Sequence, residues 1–179
     1  GEIVIARARD KVRFPARFQL VAAMNPCPCG YLGDPSGRCR CSAEQIQRYR
    51  SKLSGPLLDR IDLHLHVARE ATALHANPDS GTSSAQAAAT VAAARQRQEQ
   101  RQGGANAFLD LQQLRQHCGL SDDDQHWLES ACERLGLSLR AAHRLLKVAR
   151  TLADLDAVGA IHRSHLAEAL QYRPSSPTA

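Results

Sequence analysis

The sequence predicts an α/β protein: a partial parallel sheet with a β-hairpin before it, followed by an all-helical domain. Three observations point there. Residues 18–24, Phe-Gln-Leu-Val-Ala-Ala-Met, form a short apolar run that ends abruptly at Asn25-Pro26, the pattern of a strand buried on both faces of a parallel sheet. Residues 61–67 alternate, with Ile61, Leu63, Leu65 and Val67 set against Asp62, His64 and His66, as in a half-buried strand. From residue 106 onward, apolar residues recur at helical spacing between capping residues.

The elements follow in order. Residues 2–14 read as a hairpin: Ile3, Val4 and Ile5 favour strand, and Val12-Arg13-Phe14 alternates. Its tip holds Arg7, Arg9, Asp10 and Lys11. Arg9 and Lys11 are candidates for contacts to nucleic-acid phosphates, although a solvated turn is the commoner use of such a tip. Asn25 falls at the carboxyl end of the central run, the edge where open α/β sheets bind ligands. A neutral amide there can orient a water or a phosphate oxygen; the alternative is an asparagine that only starts a turn before Pro26.

Cys27-x-Cys29 and Cys39-x-Cys41 follow, separated by a Gly- and Pro-containing loop. Four thiols in two close pairs suit a structural Zn²⁺ site, because zinc takes four ligands and thiolates satisfy it. The C-x-C spacing departs from the usual C-x-x-C, and disulfides or free thiols are the alternatives. Ser42-Ala-Glu-Gln45 is a capping box opening a helix with Ile46, Tyr49 and Leu53 on one face. Gly55 is expected to close it and Pro56 to begin a short turn. Arg60 then lies at an element boundary, where an arginine commonly serves as a surface ion-pair partner. His64 and His66 share a strand face with no third ligand and read as exposed.

Residues 70–104 read as a linker and an Ala/Gln-rich helix stopped by Gly103-Gly104, its polar stretch 95–101 a solvated face. A short helix over 109–118 follows. Ser121 caps the next, with Asp122, Asp123 and Asp124 near its amino end. Ser138 caps a third, with a stripe of Leu139, Ala142, Leu145, Leu146, Ala149 and Leu152. Arg140 sits in the first turn of that helix, where the helix dipole disfavours a cation, so it is a candidate functional residue. Arg144, one turn on, is the competitor. A last helix spans about 163–172, and 174–179 reads as a disordered tail. The expected organisation is therefore 1–69, 70–104, 105–173 and 174–179.

The formal charge of +5 over 179 residues is compatible with nucleic-acid contact, whereas 4% aromatic residues argue against base-stacking platforms. No apolar run approaches about 18 residues, so no membrane span is expected. Six clustered cysteines suit cytosolic metal or thiol chemistry, hence a cytoplasmic protein. The chain begins inside a strand-like pattern and holds no G-x-x-x-x-G-K-[ST] phosphate loop, so it reads as a piece of a longer protein.

Ala22-Ala-Met-Asn25-Pro26, the Cys-Pro-Cys-Gly-Tyr-Leu-Gly-Asp segment behind it and Leu57-Leu-Asp-Arg60-Ile-Asp-Leu-His64 together resemble the C-terminal part of the ComM/YifB type of Mg chelatase-like AAA+ ATPases, in the MCM/chelatase clade. The resemblance runs from residue 1 to about 173 and is weakest over 71–104. It implies an ATP hydrolase using Mg²⁺, assembled with itself as a hexameric ring, that drives DNA branch migration in natural transformation. The main ATP ligands would lie upstream. Asn25 would be sensor 1, Arg60 the arginine finger, Arg140 (or Arg144) sensor 2, and the Arg9/Lys11 hairpin the DNA-gripping element. Two alternatives are an ATPase that drives Mg²⁺ insertion into a porphyrin, and a non-enzymatic zinc-clipped nucleic-acid-binding module.

Overall fold

Two β-strands pair through a local turn, and seven α-helices follow them. The structure, a computed structural model, describes residues 1–7, 10–67 and 81–173. It divides into two compact units, Gly1–Lys52 and Leu53–Ala179.

In the first unit β1 (Glu2–Arg7) pairs antiparallel with β2 (Asp10–Pro15). The register sets Ile3 against Phe14 and Ile5 against Val12, so these four share one face. Val4, Arg13, Ala6 and Lys11 share the other. The expected hairpin is present, and Arg9 at its tip lies outside the described residues. The parallel sheet is not formed among the described residues. Residues 18–24 join no ladder, and Phe18 and Val21 are 75% and 85% exposed. The apolar run is as the sequence has it, but a parallel strand needs neighbouring strands to pair its N–H and C=O groups, and local turns cannot supply them. The same holds for 61–67, which is extended without a ladder and leaves Leu65 and Val67 exposed.

Ser42 opens α1 (Ala43–Arg50) with the predicted capping box: its hydroxyl accepts from the Gln45 N–H, and the Gln45 side chain accepts from the Ser42 N–H. Gly55 does not end that helix. It is the first residue of α2 (Gly55–Leu58), which Ser54 caps, so Pro56 stands one position later than expected.

The second unit holds the core. α3 (Ser84–Gln102), a 3₁₀ turn (Asn106–Phe108), α4 (Leu111–His117), α5 (Asp122–Arg134), α6 (Leu139–Leu155) and α7 (Arg163–Gln171) follow in order. α6 is the hub, contacting α3, the 3₁₀ turn, α4 and α7. Leu109, Leu114, Cys118, Leu128, Leu145, Ala149, Ala153, Ile161, Leu166 and Ala169 make one buried cluster. Leu139, expected in the buried stripe, is 73% exposed, because it stands in the first turn before α6 enters the core. Gly103 ends α3 in the left-handed region that glycine tolerates.

The polar stretch 95–101 is not simply a solvated face. Gln98 is buried, and Arg97 donates to the Asp154 carbonyl. Arg101 forks onto Asp154, with Nη1 to Oδ1 at 2.5 Å and Nη2 to Oδ2 at 2.9 Å. Asn106 Nδ2 donates to Asp154 Oδ2 at 2.8 Å, and Arg150 Nη2 lies 3.1 Å from Oδ1. Arg150 also donates to the Gly159 and Val158 carbonyls, while its Nε is buried with no partner among the described residues. No helix among the described residues is long and apolar enough to cross a membrane. Residues 68–80 and the 174–179 tail lie outside the description.

Candidate functional site

The Cys loop is built of tight turns. Gly30 N–H donates to Cys27 C=O, Asp34 N–H to Tyr31 C=O, and Gly37 N–H to Asp34 C=O. These turns fold the two cysteine pairs onto one another. Cys27 Sγ lies 3.4 Å from Cys29 Sγ and 3.8 Å from Cys39 Sγ, and Cys29 Sγ lies 3.7 Å from Cys39 Sγ. All four sulfurs, Cys41 included, fall within 4.8 Å of one another, a donor set able to hold one ion. None is in a disulfide. The Tyr31 N–H, followed by the Cys41 thiol, favours the Cys29 thiolate and draws that group down to about 6. At Cys41 the Cys29 backbone N–H favours the thiolate. The bond to Cys29 Sγ, burial and the neighbouring charge on Cys27 outweigh it and push the thiol up to about 12. Adjacent sulfurs so unlike in proton affinity share protons as a set.

Asn25 is exposed two residues before Cys27. Its side chain lies against Gly30: a Cβ built on Gly30 would stand 3.7 Å from Asn25 Cγ, with Gly30 at φ +80°. The candidate amide is therefore seated on the first turn of the thiol loop, a neighbour the sequence reading did not connect to it. Lys11 is exposed on β2 opposite Ala6, beside Arg13 on the same face.

In the second unit Arg60 directly follows α2 and is exposed. Its Nη1 donates to the Pro56 carbonyl of its own turn, and it has no carboxylate partner among the described residues. Arg140, in the first turn of α6, is exposed and likewise unpaired among the described residues. Arg144 differs. Its Nη1 donates to the Asp59 carbonyl at 2.9 Å and to Asp62 Oδ1 at 3.2 Å, tying α6 to the segment on either side of Arg60. His64, expected to be exposed, is half-buried. Its Nε2 lies 3.2 Å from the carbonyls of Leu58 and Ile61, and its N–H donates to Tyr172 C=O. Arg60 thus stands on a turn held from both sides. The sequence signal for this was Asp62, an acid within reach of a basic helix face, which alternation alone reads as a solvent-facing strand position.

Two family models cover the chain in sequence order. Magnesium chelatase, subunit ChlI, matches residues 1–74, and the C-terminal domain of the same subunit matches residues 81–173, just over half of the chain. Competence protein ComM of Haemophilus influenzae is 49% identical over 97% of this chain and 34% of its own length. YifB of Escherichia coli is 50% identical over 97% of this chain and 34% of its own length. An uncharacterised protein of Mycobacterium tuberculosis is 40% identical over 97% and 35%. The chain spans about a third of the length of the curated relatives it matches. With Asn25 and Arg60 inside the first matched region and Arg140 inside the second, the chain belongs to the magnesium-chelatase ChlI family, as a stretch of a ComM/YifB-type protein.

Proposed function

We propose that the protein of which this chain is a part is an AAA+ ATPase that assembles as a hexameric ring and couples ATP hydrolysis to DNA translocation or branch migration. The observation that carries this reading is the pair Arg60 and Arg140. Both guanidiniums are exposed and free of carboxylate partners among the described residues, while Arg144 beside them is engaged in holding the fold. An unpaired guanidinium is always charged and presents a fork that matches phosphate oxygens. ATP, with Mg²⁺, supplies the phosphoryl group when bound. Arg60 acts in trans on charge developing at the transferred phosphoryl, Arg140 holds the terminal phosphate from the helical side, and the Asn25 amide orients the attacking water. Arg140 fits this role better than Arg144, which would have to release Asp62. Lys11 and Arg13 on one hairpin face, with Arg9 at the tip, suit DNA phosphates. Similarity to a competence protein supports a DNA substrate.

The test is the DNA-stimulated ATPase activity of the full-length protein carrying Arg60→Ala. Hydrolysis should fall about 10³-fold or more with nucleotide binding and assembly retained, the size of effect a finger arginine carries. Unchanged hydrolysis overturns the assignment. The thiol cluster and the basic hairpin face within one unit favour a second reading, a metal-clipped DNA-binding module. DNA affinity that is the same with and without ATP, in a protein that hydrolyses none, would select it.

A further inference from the structure

We propose that Cys27, Cys29, Cys39 and Cys41 bind one Zn²⁺ in a closed tetrahedral thiolate centre, and that this centre holds the turn on which Asn25 is seated. The proposal does not depend on the ATPase reading. Zinc–thiolate bonds of about 2.3 Å arranged tetrahedrally put sulfurs about 3.8 Å apart. The measured separations of 3.4, 3.7 and 3.8 Å cluster at that edge length, and no sulfur lies more than 4.8 Å from another. Four soft donors select zinc over the hard divalent cations that prefer oxygen. With all four positions filled by protein there is no place for a reactive water, so the centre is structural. Each thiol that ligates gives its proton to solvent.

The loop has little else to hold it. Among the described residues of Gly1–Lys52, Cys27 alone is buried, so no apolar core fixes 26–41. Its turns are single hydrogen bonds, and Gly30 and Gly37 take positive φ that other residues resist. A metal joining residues 27–29 to 39–41 closes these turns into one body. Asn25 precedes Cys27 by one proline and rests on Gly30 inside that body. Ordering the loop therefore orders the amide.

The full-length protein, purified without added metal or chelator, should carry about one zinc per chain. Cys39→Ser and Cys41→Ser should lose it, and Cys118→Ser, in the helical core, should keep it. Cobalt added to the chelated wild type should give the intense visible bands of a tetrahedral tetrathiolate, a readout that needs no variant to fold. Amide exchange over 25–31 should speed at least tenfold on chelation, with α6 unchanged. A weak octahedral cobalt spectrum with no zinc after growth in zinc-supplemented medium overturns the centre. Zinc bound but exchange over 25–31 indifferent to its removal overturns the role at Asn25.

Discussion

The two units solve the problem of order by opposite means. Leu53–Ala179 buries a continuous apolar cluster around α6 and sets a charged network inside it. Gly1–Lys52 buries one cysteine among its described residues and exposes Ile3, Ile5, Val12 and Phe14 along a hairpin face. Burial is non-directional and cooperative, so the helical unit tolerates loss of any one polar contact outside its core. The first unit rests on directional contacts: a ladder, turn hydrogen bonds, a capping box and four sulfurs. Its order is local, and each contact removed is felt locally. Residues that meet ligands in this family reading, Asn25 and Lys11, sit on the unit with the least core.

The comparison breaks most sharply at Asp154. The carboxylate is 1% exposed and takes bonds from Arg101 and Asn106 with Arg150 alongside. Asp154→Asn leaves two guanidiniums facing a neutral group in the interior. Removing one partner of a buried pair costs about 3–5 kcal/mol, measured by urea unfolding of the helical unit through Trp127. The pH dependence follows. Burial raises the Asp154 carboxyl, but the bonds from Arg101 and Asn106 and the charge on Arg150 outweigh it and hold it low. A lowered folded value means the stabilisation is complete above the ordinary aspartate range near about 3.9 and is lost as pH falls through the folded value. Wild type should lose stability along that acid limb, and Asp154→Asn should lack it.

Apolar truncation sharpens the contrast at smaller cost. Leu145 is 1% exposed at the centre of the cluster, so Leu145→Ala should cost about 3 kcal/mol in the same unfolding transition. Val12 is 47% exposed on the hairpin. Val12→Ala removes a side chain already half in water and should move that transition by less than about 0.5 kcal/mol. Equal losses would mean the hairpin shares the helical core, and the contrast would fall.

What was legible in the sequence follows the same division. Helical periodicity, capping serines and the hairpin came through because each is set by residues within a few positions of one another. Asp110-x-x-Gln113 and Ser83-x-x-Gln86 form capping boxes by the rule that found Ser42, and the reading passed over them. Residues 18–24 and 61–67 have strand patterns and no ladder, since pairing depends on what lies beside a strand and periodicity does not encode that. The Arg101–Asp154–Arg150 network was missed for a related reason. Arg150 and Asp154 are one turn apart inside an apolar stripe, and a charged pair at that spacing reads as surface until a third charge from α3 is brought against it. The four cysteines were legible as a set; their convergence, and the seat of Asn25 on Gly30, required the turns to be folded.

Two matched caps give the smallest effect and the finest test. Ser42 Oγ accepts from Gln45 N–H at 3.2 Å, and Ser138 Oγ accepts from Ala141 N–H at 3.2 Å. Replacing either by alanine removes the same bond, worth about 1 kcal/mol. The consequences differ because the helices differ. α6 is the hub of the core, so its first turn cannot fray without loosening contacts that unfold cooperatively, and Ser138→Ala should lower the midpoint of the Trp127 transition. α1 buries no residue, so Ser42→Ala should raise amide exchange over 43–46 while that midpoint stays put. A lowered midpoint in Ser42→Ala would show that α1 is coupled to the core, and that the first unit draws its order from more than its own turns and sulfurs.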